Sequence, residues 1–355
     1  MVNLSSLNLR RHSLQRRLFL TMLVLSMLLL SLFFVGLYFV LGYTDTKQRM
    51  DKNLNFQLDI FARETSSYYK DLATMSILLS RESGGIVENY LSENHIAFGD
   101  LNNSQEHLID IQKLLIDPLR HKLFEANCTG AFIMLQATVD TKSNHADASR
   151  TGLYLQRGTL DASDNDVLLY RGFSSIGRNK GYMPHRKWRL EFDTDLFPNY
   201  ADLLQHAKAP LTTNFCTTEI FTLPGTSEKA MLMVVPLLGS HGEVYGICGL
   251  EVNQSYFKQA FAQPSPLNRA TFCLSKGKRE FVDAKDCFSA GITSGYYSAP
   301  LGSFATKPFG QSLSLYENAS STSYIGASKE ITIFPKNVDF TLHVLVPKPD
   351  YDYLA

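Results

Sequence analysis

The sequence predicts an α+β protein: a membrane-spanning helix, a long stalk helix, and two antiparallel-sheet modules in tandem. Three observations predict it. Residues 18–42, LFLTMLVLSMLLLSLFFVGLYFVLG, carry no ionisable side chain. Residues 44–94 contain no proline and repeat apolar side chains at helical spacing. From Gly130 onward the pattern changes to short apolar runs separated by glycine, asparagine and aspartate.

The apolar run comes first. A bilayer core needs about 20 helical residues to cross, so 18–42 spans with some tilt. Arg10, Arg11, Arg16 and Arg17 precede it. The positive-inside tendency therefore puts the N-terminus in the cytoplasm and residues 43–355 outside the cell membrane. A cleaved signal peptide has an apolar core of roughly 7–15 residues and a small-residue cleavage site. This run is longer and exits through Val40-Leu41-Gly42-Tyr43-Thr44-Asp45. A buried core helix is seldom so evenly apolar on every face. The run reads as an uncleaved signal anchor at 18–42, after a cytoplasmic segment at 1–17.

The remainder of the 355 residues suffices for one large or two ordinary domains. Formal net charge is zero, from 34 basic and 34 acidic residues, and no basic stripe argues for a nucleic-acid partner. Hydrophobic content of 45% supports a globular core. The five cysteines include no C-x-x-C pair, and the nine histidines show no metal-ligand spacing, so neither metal nor cofactor is expected. Cys273 and Cys287 are open to a bridge, but small apolar core residues are the simpler reading. Ser67-Tyr68-Tyr69-Lys70 and Ser163-Asp164-Asn165 match two of three penicillin-binding motifs, without a K-T-G. Ser67 also falls on the stalk helix, and nothing in the chain points to an enzyme.

The stalk helix, residues 43–95, repeats Leu54, Leu58, Phe61, Leu72, Met75 and Leu79, with Gly84-Gly85 as a place for a break. The face of Leu54, Leu58 and Phe61 either meets a second copy in a homodimer or packs within one subunit. A second helix covers 106–124. A first module, residues 96–262, holds strands at 131–135, 152–155, 167–170, 230–237 and 244–250. Gly239-Ser240-His241-Gly242 turns the last two into a hairpin. A short helix at 255–261 ends at Pro264-Ser265-Pro266, a linker. The second module, residues 263–350, has strands at 271–274, 281–282, 324–327 and 340–346, with a loop-rich stretch from Ser289 to Ser323. Residues 351–355 read as the start of a missing C-terminal part.

Three segments carry a family resemblance. They are Tyr182-Met183-Pro184-His185-Arg186-Lys187-Trp188, the paired strands from Ala230 to Asn253, and Phe340 to Lys348. Together they resemble the double Cache sensor domain. That domain is the exported input half of bacterial chemoreceptors, histidine kinases and membrane-anchored AraC-type regulators. The resemblance implies two PAS-like modules, membrane-distal then membrane-proximal, and a small-molecule ligand in the distal one. It places a carboxylate on Arg186, Trp188 over the ligand, an ammonium on Glu251, and Tyr182 as a hydroxyl donor. Three details depart from the pattern. Arg189 stands where an aromatic residue commonly follows the tryptophan, Glu251 replaces an aspartate, and Tyr182 is one residue nearer the arginine. Without the resemblance, Trp188 reads as a core anchor and residues 185–189 as a solvated basic strand. The function expected is ligand sensing, with helix displacement carried across the membrane to an output domain absent from this chain. The alternative is an anchored binding or adhesion module with no output.

Overall fold

The computed structural model describes residues 14–157, 166–261, 269–277, 281–293, 296–297, 303–317, 323–333 and 339–354. Arg10, Arg11, the Ser163-Asp164-Asn165 triplet and the Pro264-Ser265-Pro266 linker lie outside them. Helix α1 runs over Leu14–Glu93. Within it Leu18–Phe39 has a mean hydropathy of 2.7 and buries none of its surface, as a lipid-facing segment would. Among the described residues no other helix is long and apolar enough to cross a membrane. The chain divides into two compact units, Met1–Asn53 with Pro349–Ala355, and Leu54–Lys348. In the first, the buried Tyr351 donates its hydroxyl to Asp51 at 2.6 Å.

Two sheets build the second unit. The strands in chain order are β1 (Gly130–Leu135), β2 (Ser149–Arg150), β3 (Gly152–Arg157), β4 (Val167–Arg171), β5 (Met183–Arg189), β6 (Phe192–Asp193), β7 (Cys216–Thr217), β8 (Phe221–Thr222), β9 (Lys229–Leu238) and β10 (Val244–Asn253). The first sheet has the order β5-β4-β3-β1-β10-β9-β7, with β8 beside β9, while β2 and β6 pair separately. β1 and β3 are buried along their whole length, because both faces of the sheet are covered. Helix α2 (Gln105–Glu125) packs on β1 and β3, burying Leu108, Ile111, Leu115 and Leu119. The opposite face gathers Phe132, Tyr154, Tyr170, Phe192, Leu232 and Ile247. Short helices α3 (Ser174–Asn179) and α4 (Tyr200–Gln205) lie in its loops. The β9–β10 turn closes as expected, with Gly242 N–H donating to the Gly239 carbonyl at 3.1 Å.

Helix α5 (Gln254–Phe261) leads to the second sheet. Its strands are β11 (Thr271–Lys276), β12 (Phe281–Asp283), β13 (Cys287–Thr293), β14 (Tyr296–Tyr297), β15 (Ser303–Phe309), β16 (Leu313–Glu317), β17 (Ser323–Thr332) and β18 (Asp339–Pro347), before α6 (Lys348–Leu354). The order is β12-β15-β16-β17-β18-β11-β13-β14. The described residues between Ser289 and Ser323 are therefore mostly strand, where loop was expected. β15 and β16 bury Phe304 and Tyr316 and leave polar residues outside, so their apolar content is too sparse to read as strand. All five cysteines are free thiols, and Cys273 and Cys287 share this module's core.

One further expectation is corrected, and one open alternative is decided. The helix does not break at Gly84-Gly85. A Cβ on Gly84 would stand 2.2 Å from the Leu238 carbonyl oxygen, whereas one on Gly85 meets nothing within 4 Å. Close approach to β9 is what needs Gly84, and Ser80 reinforces it by donating to the Pro236 carbonyl at 2.6 Å. Gly84→Ala should therefore lower stability by about 1–3 kcal/mol through overpacking. Gly85→Ala should raise it by up to about 1 kcal/mol through helix propensity. Thermal unfolding of the two variants checks this opposition of sign. Second, Leu54, Leu58 and Phe61 are buried within the single chain. The Phe61 ring meets Phe257, Phe261 and Phe272 edge-on at 5.9, 4.8 and 5.3 Å, so this face is not available to a second copy.

Candidate functional site

The centre of the first sheet carries a buried carboxyl. Glu251 on β10 faces Gly130 on β1, where a Cβ would come within 2.8 Å of its Oε2, so the glycine makes the room. Glu251 is 1% exposed. It accepts from Thr129 Oγ1 at 2.9 Å, from Gln156 Nε2 at 2.7 Å and from the Tyr154 hydroxyl. Burial pushes its pKa up to about 7 against the pull of those donors, and the nearby Glu228 pushes the same way.

From Glu251 a line of rings leads to the sheet edge. Tyr154 meets Tyr170 edge-on at 5.2 Å, and Tyr170 meets His185 edge-on at 5.0 Å. Arg171, at the end of β4, lays its guanidinium 3.9 Å from the Tyr170 ring centroid. Its Nη1 donates to the main-chain carbonyls of Tyr170 at 2.7 Å and Lys187 at 3.1 Å. Burial lowers its pKa from the ordinary arginine value. Tyr154, Tyr170, Arg171, Phe192, Asp193 and Phe197 line a cavity of about 30 Å³. That volume holds a water. Sites for larger ligands run to hundreds of Å³.

β5 is the edge strand, and its pairing with β4 is parallel and bulged. Leu169 pairs with Pro184 and Arg171 with Arg189, so His185, Arg186, Lys187 and Trp188 oppose Tyr170 alone. Such bulges re-aim side chains, and proline and basic residues also guard an open edge. Trp188 is half-buried and donates its indole N–H to the Gly172 carbonyl at 3.0 Å. Burial holds the His185 imidazole below its usual pKa, helped by Arg186 and Arg171. Arg186 and Lys187 are exposed and line a groove of about 420 Å³ with Glu228 and Lys229.

Of the four residues expected from the sequence, Arg186 and Trp188 share the bulge. Glu251 is connected to it through the Tyr170–Tyr154 ring contact and the Tyr154 hydroxyl. Tyr182 is buried where Arg120 and Asp117 of α2 act on its hydroxyl. Sequence reasoning missed Arg171, Tyr154 and Tyr170. The available signal was an arginine closing the apolar strand Val167-Leu168-Leu169-Tyr170. Among the described residues no group of three or more histidine, cysteine or acidic side chains is placed to hold a metal.

Comparison with known structures gives the fold. The periplasmic sensory domain of the Campylobacter jejuni chemoreceptor Tlp1 superposes with a TM-score of 0.50 at 10% identity, covering 86% of this chain and 98% of that one. The chain has the double Cache fold. Two other double Cache matches lie lower. The ligand-binding domain of the Pseudomonas aeruginosa amino acid chemoreceptor PctB, in complex with L-Arg, has a TM-score of 0.43 at 11% identity, over 84% of this chain and 89% of that one. The sensor domain of the Vibrio cholerae histidine kinase DctB has a TM-score of 0.44 at 13% identity, over 85% and 98%. No family profile and no curated protein sequence matches the chain. In double Cache terms the sheet of β1–β10 is the first module and that of β11–β18 the second, with the buried carboxyl and the basic bulge both in the first.

Proposed function

We propose that this chain is the extracytoplasmic sensing part of a bacterial transmembrane signalling protein, anchored by residues 18–42 with its N-terminus in the cytoplasm. The observation that carries the reading is an apolar helix, Leu18–Phe39, joined in one chain to a double Cache fold. The first module, membrane-distal in this reading, binds a small carboxylate, an amino acid or another acid. Arg186 on the exposed bulge is its first contact, and Trp188 fixes the bulge through Gly172. Glu251 acts through Tyr154, and Tyr182 supports the start of β5. Signalling follows when the ligand favours one of two pre-existing helix arrangements, a shift of about 1–2 Å being typical of such switches. The dimer in which such a shift would act uses some surface other than Leu54, Leu58 and Phe61.

Calorimetric titration of the purified full chain with amino acids and two- to four-carbon carboxylates tests the ligand class. Arg186→Ala should weaken binding about tenfold at low salt and less at high salt, as loss of an exposed steering charge does. A wild-type chain that binds no carboxylate would overturn the reading.

A further inference from the structure

We propose that the ligand's carboxylate is anchored by Arg171 from inside the first module, after capture by Arg186 at the surface. The proposal deepens the reading above and rests on its claim that the first module takes a carboxylate.

Arg171 is 5% exposed and lines the cavity beside Tyr154 and Tyr170. Arginine is almost never buried this fully without a partner. Here, among the described residues, no carboxylate pairs with it. Its Nη1 is engaged by two main-chain carbonyls, and among the described residues the guanidinium's side-chain partner is Tyr170, not an acid. The Nε–Nη2 edge meets a carboxylate through two parallel hydrogen bonds. Tyr170 holds the guanidinium plane in position beneath it.

The surroundings favour an incoming anion over an internal one. Glu251, the buried carboxyl nearest in this face of the sheet, is taken up by Thr129, Tyr154 and Gln156. Arg189 adds positive potential at Arg171, and Arg186 and Lys187 extend it along the bulge to the groove. Asp193 is the acidic residue on the cavity lining, and its Oδ1 accepts from the Asp195 N–H at 3.1 Å. At about 30 Å³ the cavity must widen for any such ligand. Leu196, which is on its wall and 50% exposed, marks the side where it can.

The test compares the full-chain wild type, Arg171→Gln, Arg171→Lys and Arg186→Ala by calorimetry. The probes are amino acids, each paired with its deaminated acid, so the bound member identifies the ligand's second group. Arg171→Gln should lose carboxylate binding by 100-fold or more. Arg171→Lys keeps the charge but not the two-bond fork, and should lose at least tenfold. Fluorescence of Trp188, the sole tryptophan, confirms that each variant is folded. Binding within twofold of wild type in both Arg171 variants would overturn the anchor and leave the carboxylate reading standing. So would complete loss of binding in Arg186→Ala alone. Absence of carboxylate binding in the wild type would overturn both.

Discussion

In Glu251→Gln, the stability of the chain should lose much of its dependence on pH between about 4.5 and 7. The carboxyl's pKa is raised from 4.5 to about 7 in the folded chain, chiefly by burial. Below that window both folded and unfolded chains hold the proton, and the group contributes no difference. Within it the unfolded chain releases the proton while the folded chain keeps it, so folded-state stability falls as pH rises. Above the folded pKa the loss is complete. A shift of this size corresponds to about 3 kcal/mol. Glutamine removes the titration while preserving shape. Its carbonyl can accept from Tyr154 and Gln156, and its amide can face Thr129, whose hydroxyl already lies 3.1 Å from the residue 251 carbonyl. Glu228, whose carboxyl burial also raises, tilts stability the same way in both proteins, so the difference between them isolates Glu251. Melting temperature measured across this range should fall more steeply in the wild type than in the variant. Parallel curves would mean that Glu251 is already ionised in the folded chain.

The parts legible in the sequence were those written in local periodicity. Leu108, Ile111, Leu115 and Leu119 mark one helical stripe, and the structure buries all of them. Gly239 to Gly242 between two apolar runs marks a hairpin, and β9 and β10 pair across it. What failed was what depends on distant neighbours. Gly84 looks the same in sequence whether a helix breaks there or a strand approaches it, and only Leu238 decides. β15 and β16 show water too polar a face for period-two alternation to stand out. The site divides in the same way. Glu251 sits at the end of a recognisable strand, and its burial follows from that strand being central. Arg171 and Arg186 are both arginines close to aromatic residues. What separates them is the Lys187 carbonyl and the cavity wall, which exist only once β5 bulges against β4.

Phe61→Ala should be the most destabilising single change considered, by about 3–5 kcal/mol, the range for removing a buried aromatic. Phe61 meets rings from two elements, Phe257 and Phe261 of α5 and Phe272 of β11. Its loss leaves a cavity that three aromatic side chains cannot close without moving the backbone. Phe56, five residues earlier on the same helix, is 60% exposed, so Phe56→Ala should change stability by less than about 0.5 kcal/mol. For a unit of this size the Phe61 loss is a drop in melting temperature of roughly 10 °C. Because the contact is within one chain, the drop should not depend on protein concentration. An interface contact behaves otherwise, since mass action ties melting to concentration. A concentration-dependent drop, or a lowered dimer affinity with unchanged melting, would return Leu54, Leu58 and Phe61 to a dimer face. Phe61 thus ties the stalk helix both to α5 and to β11 of the second sheet through ring contacts that a single alanine removes.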